Sequence, residues 1–180
     1  MADLLVAATH ELPEQLLRDV RILCDRAFGD DFSDDDWDHC LGGLHAVVLG
    51  EGVVLAHGAV VGRRFRVEQR PLDVGYVEAV AVDPGHRGQG LGSQVMTALE
   101  TIVSTSHELG ALGTSDLGRP LYLSHGWVEW RGRLLGDTSH GPVHLPDEQG
   151  AVLVRGGTVA LAAVDLEADL TADHRAGDIF

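Results

Sequence analysis

The sequence predicts an α+β fold, and three observations lead to it. Apolar residues recur at helical spacing in two separated stretches, and β-rich runs fill the segments between and after them. No repeat or low-complexity linker divides the chain. At 180 residues there is material for one well-filled core, so the expectation is a single domain over residues 1–180. Hydrophobic residues make up 44% of the chain, which suits a folded protein rather than a disordered one.

The elements follow in order. A short apolar run at Leu4–Ala8 has no basic segment before it, which argues against a signal peptide. No stretch approaches the ~18 apolar residues of a spanning helix, so the expected location is the cytoplasm. Residues 12–28 repeat Leu16, Val20, Leu23, Cys24 and Ala27 at helical spacing, with Pro13 suited to the first helical position. Ser33 and Asp36 have capping-box spacing and predict a short helix ending near Gly42. Two β-rich runs broken at Gly50-Glu51-Gly52 predict a hairpin. "LDVGYVEAVAVD" is a further strand, apolar enough to lie centrally in a sheet. Leu91, Val95, Leu99, Ile102 and Val103 then form one stripe, which predicts a helix over 90–105. "LGALGTS" predicts a short strand and turn. "GRPLYLSHGWVEWRG" predicts a brief helix, a break at Gly126 and a strand. "AVLV" and "TVALAAV" both look strand-like, and the tail is acidic.

Charge limits the partners. Thirteen Lys and Arg face 28 Asp and Glu, a formal charge of -15, so nucleic acid and anionic membranes are excluded as expected partners. The acids suit two roles, steering a cation inward or keeping the protein soluble. Cys24 and Cys40 make no disulfide framework, and Cys24 fits a buried small hydrophobe. No metal is expected, because "GPV" between His140 and His144 breaks the helix that would align them.

"GHRGQGLGSQV" joins the central strand to the long helix. Unpaired N–H groups at the helix start, with the positive end of its dipole, suit a phosphate or pyrophosphate. Gly88, Gly90 and Gly92 allow close approach, and Arg87 adds a charge-assisted contact. The turn lacks the Gly-Lys-Ser/Thr end of a nucleotide-hydrolysing loop, and G-x-G-x-G misses the dinucleotide fingerprint. By itself it also fits a plain strand-to-helix connection.

R-G-Q-G-L-G, preceded by "VEAVAV" and followed by "LYLSHGW", resembles the acetyl-CoA-binding core of GCN5-related N-acetyltransferases. "GDDFSDDDWDHCLGGLHAVV", "VGYVEAVAV", "LYLSHGW" and "DHRAGDIF" are similar, more narrowly, to the bacterial aminoglycoside 2'-N-acetyltransferases. The resemblance implies a mixed, mostly antiparallel sheet flanked by helices, a homodimer, and acetyl-CoA as acetyl donor to a cationic aminoglycoside. It assigns the cofactor to Val80, Ala81, Val82, Arg87, Gly88, Gln89, Gly90, Leu91 and Gly92. It assigns the base to Glu78, acting through water, and the acid to Tyr122. Substrate contacts fall to Glu78, Asp31, Asp36, Glu148, Asp178 and the Phe180 carboxylate.

These residues also have readings of their own. A carboxylate in the apolar "YVEAVAV" is expensive to bury, so Glu78 is either placed for a purpose or turned outward from a half-exposed sheet. Tyr122 suits either a proton donor or a helix aromatic packed beside Trp127. Asp36 suits either an ammonium contact or the capping box, while Asp34 and Asp35 suit the helix dipole. Two positions depart from the family pattern, Phe180 for Trp and Glu148 for Asp. The rival readings are an acetyltransferase for another cationic amine, such as a polyamine or peptide N-terminus, and a noncatalytic acyl-CoA sensor.

Overall fold

The computed structural model describes residues 2–180. Four helices are present, α1 (Glu14–Phe28), α2 (Asp34–Cys40), α3 (Leu91–Ser106) and α4 (Arg119–Ser124). The strands are β1 (Ala2–Ala8), β2 (Leu44–Gly50), β3 (Val53–Val67), β4 (Arg70–Val82), β5 (Leu109–Gly113), β6 (Val128–Glu129), β7 (Leu134–Gly136), β8 (Val143–His144), β9 (Val152–Gly156) and β10 (Leu170–Ala172). Contacts divide the chain into two compact units, Met1–Val61 with Val77–Thr101, and Gly62–Tyr76 with Ile102–Phe180.

In the first unit, β1 pairs antiparallel with β2 and β2 antiparallel with β3. The turn between β2 and β3 is Glu51-Gly52, both at positive φ, the two-residue geometry that follows the twist of a hairpin. Helix α1 begins one residue later than its apolar pattern suggests. Pro13 takes the N-cap, with ψ 140°, rather than the first helical position. The predicted stripe is buried nonetheless, and Val20, Leu23 and Cys24 pack with Val47, Val54 and Ala81. Ser33 caps α2 as its spacing predicts. Helix α3 lies close over β3 because Gly58 has no side chain. A Cβ there would come within 2.8 Å of Val95 and of Leu99.

In the second unit the strand order is β6-β9-β5-β4-β3-β10-β7-β8. The β4–β5 and β7–β10 ladders are parallel, whereas β5–β9, β6–β9, β7–β8 and β3–β10 are antiparallel. The ladders thus form the mixed, mostly antiparallel sheet, with flanking helices, that the family resemblance implies. Trp127 and Trp130 are fully buried, and the Trp130 indole donates to the Ala168 carbonyl at 3.0 Å. One expected strand is absent. "TVALAAV" forms no ladder and contains only the 3-10 turn Leu161–Ala163. Its start turns instead onto the chain leaving α3, where Thr158 N–H donates to the His107 carbonyl and Val159 N–H to that of Glu108. Gly156-Gly157 permits this turn, because a side chain at 157 would overlap the His107 carbonyl. Conversely, β10 arises in the acidic tail, where the sequence signals no strand.

Two histidines lie in the apolar interior of the first unit. His45 on β2 and His57 on β3 are fully buried, with His45 Nδ1 2.9 Å from His57 Nε2. Burial pushes His45 down to about 4 and His57 to about 3, the latter helped by its neighbour. Both rings are therefore neutral in the fold, while an unfolded chain protonates them near pH 6.5. The unfolded state binds more protons below that pH, so this contribution to stability is complete above about pH 6.5 and falls as the solution is acidified towards pH 4. The ring resonances of His45 and His57 should accordingly stay flat between pH 8 and pH 5 in an NMR titration. Urea midpoints should hold steady down to about pH 6.5 and fall below it.

Candidate active site

Strand β4 carries the first group of predicted residues, and its burial departs from simple alternation. Val74, Gly75, Tyr76 and Val77 are all buried, after which Glu78, Ala79 and Val80 are half-buried and Ala81 is buried again. The cause is local. Ala79 sits at φ +47°, in the left-handed region, which costs a non-glycine residue about 1–2 kcal/mol. The Ala79 carbonyl lies 3.0 Å from His57 Nδ1. Glu78 therefore belongs neither to a fully apolar face nor to an outward polar face. Beyond Ala79, Ala81 anchors the strand in the core of the first unit, and the main chain closes with Asp83 N–H on the Leu55 carbonyl at 2.9 Å.

The glycine turn follows from a buried acid. Asp83 Oδ1 accepts from Gly85 N–H and from His86 Nδ1, both at 2.9 Å, while Oδ2 pairs with Arg26 at 2.9 Å. These partners, His86 foremost, hold the Asp83 carboxyl below its ordinary range. The chain then runs exposed through Arg87–Gly90, with Gly88 at φ +76° and Gly90 at φ +81°. Only glycine adopts such angles without strain. Leu91 opens the 16-residue α3, whose first-turn amides have no carbonyl behind them in the helix. An exposed, left-handed turn at the N-terminus of a long helix fits a pyrophosphate. The Arg87 guanidinium rests at 3.2 Å on the Ala27 carbonyl and stays solvent-exposed.

The predicted acids have different environments. Asp36 is committed to its cap, with Oδ2 accepting from Ser33 N–H at 2.8 Å and from the Ser33 hydroxyl at 2.7 Å. The structure thus realises the capping reading directly. Asp31 is exposed in the 3-10 turn Gly29–Asp31. Asp34 reaches Arg21 at 3.0 Å.

In the second unit, Tyr122 is buried on α4, and the Trp127 N–H donates to its main-chain carbonyl at 3.2 Å. Burial pushes the phenol up to about 12, so it keeps its proton at neutral pH. Glu148 ends the 3-10 turn Pro146–Glu148, and its carboxyl is raised first by burial, then by Asp178 and Asp147, against the pull of Arg175. Asp178 is exposed, and its main-chain carbonyl accepts from Arg175 Nε at 2.6 Å. Phe180 is buried edge-on against Phe65, with ring centroids 5.7 Å apart. The negative charge of Asp178 thus disfavours ionisation of Glu148, and a cation would favour it.

Arg63 was not among the predicted residues, yet it holds this tail. Its buried guanidinium donates to the Asp173 carboxylate at 2.9 Å, the Asp173 carbonyl at 2.9 Å and the Ile179 carbonyl at 2.6 Å. The rings of Phe65 and Tyr76 flank it, each centroid 4.9 Å away. Its signal in the sequence is its phase, since Arg63 and Phe65 share the inward face of β3 while Arg64 is exposed. Among the described residues, no three His, Cys, Asp or Glu side chains gather to hold a metal.

A central strand leading through an exposed glycine turn into a long helix is the arrangement expected of an acetyltransferase. The chain belongs to the acetyltransferase (GNAT) family, whose sequence model matches residues 10–126. Members of this family use acetyl-CoA as co-substrate. Among the relatives is an aminoglycoside 2'-N-acetyltransferase of Mycolicibacterium fortuitum, 40% identical over 173 residues, which are 96% of this chain and 89% of the relative. Solved structures of low identity share the fold. Escherichia coli ElaA has a TM-score of 0.60 at 19% identity, covering 86% of this chain and 99% of that one. An acyl-CoA N-acyltransferase of Pseudomonas aeruginosa has a TM-score of 0.61 at 15% identity, covering 87% and 100%.

Replacing Arg63 with Met should leave the carbonyls of Asp173 and Ile179 without their buried donor, at about 1–3 kcal/mol each. The expected outcome is a chemical-denaturation midpoint well below that of the parent, and proteolysis within the tail at Arg175.

Proposed function

We propose that this chain transfers an acetyl group from acetyl-CoA to the 2'-amine of aminoglycosides. The observation that carries the reading is the 40% identity, over nearly the whole chain, to an enzyme of that activity. The site chemistry supports it. A helix N-terminus with exposed left-handed glycines suits the anionic cofactor, and repelling carboxylates elsewhere suit a polycation. The two needs are met by different parts of a chain of charge -15.

When bound, acetyl-CoA supplies an acetyl group activated as a thioester. The main chain of Val80, Ala81 and Val82 binds its pantetheine arm, and the N–H groups there orient the acyl oxygen. The parallel β4–β5 ladder stops at Tyr76↔Ala111, while β4 continues to Val82, which favours this use of the strand. The turn from Arg87 to Gly92 holds the pyrophosphate, with Gln89 and Leu91 giving main-chain N–H groups. Glu78 draws a proton from the 2'-ammonium through water, so that a neutral amine attacks. Tyr122 retains its proton to about pH 12 and can hand it to a departing thiolate. Asp31, Glu148, Asp178 and the Phe180 carboxyl bind ammonium groups. Asp36 contributes through its cap, by fixing the start of α2. Homodimeric assembly and a cytoplasmic location go with this reading and rest on the family resemblance. Among the described residues, no helix is long and apolar enough to cross a membrane.

The test is CoA release with tobramycin, gentamicin, kanamycin A and spermidine side by side. Tobramycin and gentamicin should be turned over, whereas kanamycin A, with a hydroxyl at the 2' position, should not. Equal rates on kanamycin A would refute the regiochemistry, and a rate on spermidine alone would support a polyamine substrate. Glu78→Gln and Tyr122→Phe should each lower kcat by about 10²–10⁴-fold, the usual worth of a positioned acid or base. Full turnover by either variant at every pH removes that residue from the mechanism.

A further inference from the structure

The chemistry proposed above makes no use of the two buried histidines, yet their hydrogen bonds can be oriented atom by atom. The Ala79 carbonyl can only accept, so His57 Nδ1, 3.0 Å away, carries a proton. A neutral imidazole has one N–H, so His57 Nε2 is a bare acceptor and must receive from His45 Nδ1 at 2.9 Å. That fixes His45 Nε2 as an acceptor in turn, and the Thr9 hydroxyl lies 2.8 Å from it. The Gly43 carbonyl is the other acceptor near that hydroxyl, at 3.3 Å, and the shorter contact goes to His45. Finally, the Thr9 oxygen accepts from Gly42 N–H at 2.9 Å. Every bond in the series points the same way, from the end of α2 to Ala79 in β4.

The series cannot serve as a proton path, because it ends on a main-chain carbonyl that has no proton to give or take. Its effect is mechanical. Ala79 is a left-handed residue packed against the apolar core of the first unit, where an unpaired carbonyl is unfavourable. His57 satisfies it, and His45 and Thr9 hold His57 in the one tautomer that can do so. We propose that His57, oriented by His45 and Thr9, is a positioning residue for the acetyl transfer, fixing the left-handed main chain at Ala79 and with it that of Glu78. This inference rests on the reading of Glu78 as the base.

The experiment is a double-mutant cycle on the full chain with tobramycin and acetyl-CoA. His57→Phe fills the space but removes the donor, and should lower kcat about 10²-fold, the scale of a roughly 1 Å misplacement, with both KM values little changed. His57→Asn retains a donor near the Nδ1 position and should recover much of kcat. Adding Ala79→Gly to His57→Phe should also recover activity, since glycine holds a positive φ unaided. In a Glu78→Gln background, His57→Phe should cause almost no further loss, because both changes act through one group. If His57→Phe does not fold, Thr9→Val replaces it, with a smaller loss that also vanishes in the Glu78→Gln background. Long-range ¹⁵N spectra of the parent protein should find both histidines protonated at Nδ1. Wild-type kcat in a folded His57→Phe, a loss that persists in Glu78→Gln, or an Nε2–H tautomer at His57 would each overturn the proposal. Wild-type kcat in Glu78→Gln itself would instead remove the reading of the base, so the two failures are distinguishable.

Discussion

Ala79 is the residue on which the geometry of β4 depends. A thirteen-residue strand of regular alternation would place Glu78 and Val80 on the same face, and that face would be wholly apolar or wholly wet. One left-handed residue breaks that symmetry. The segment before it is completely buried, and the three residues around it are half-buried. A carboxylate can thus stand beside an apolar core without being sealed within it. Because an alanine pays conformationally for that angle, the surroundings must supply a compensating contact, and the histidine beneath it does so.

The remaining electrostatics have the same economy. Asp83 is buried at the base of the glycine turn, where its carboxylate binds Arg26, His86 and one main-chain amide. The fixed acid thereby sets the turn's exit while its charge is spent internally, which leaves the exposed amides beyond it free of a competing anion. Arg63 plays the converse part in the second unit. It places a cation in the interior and uses it to gather the Asp173 carboxylate and two carbonyls from a tail 110 to 116 residues away in sequence. Flanking aromatic faces let the guanidinium sit there, since its weak hydration lowers the cost of burial.

The parts of the fold that were legible in the sequence are those with local causes. The stripe of α1, the Ser33–Asp36 cap, the Glu51-Gly52 turn and the entry to α3 each follow from residues within one or two turns of each other. Motif resemblance supplied the candidate site around them. What escaped has distant causes. "VEAVAV" contains no glycine to announce a left-handed residue, and the carbonyl of that residue is met by a histidine 22 residues earlier. "TVALAAV" has the composition of a strand but follows a glycine pair that redirects it onto the chain after α3. β10 is only three residues long, and its burial comes from pairing with β3 and β7 rather than from its own hydrophobicity.

Glu148 is half-buried, and burial first, then the charges of Asp178 and Asp147, make it reluctant to lose its proton. A polyamine-like ligand settling there would reverse that reluctance, because its ammonium groups favour the ionised form. Ligand capture would therefore release acid into the surrounding solution. The heat measured for binding would then contain the buffer's own heat of protonation. Affinity would rise with pH until the carboxyl is already ionised before the ligand arrives.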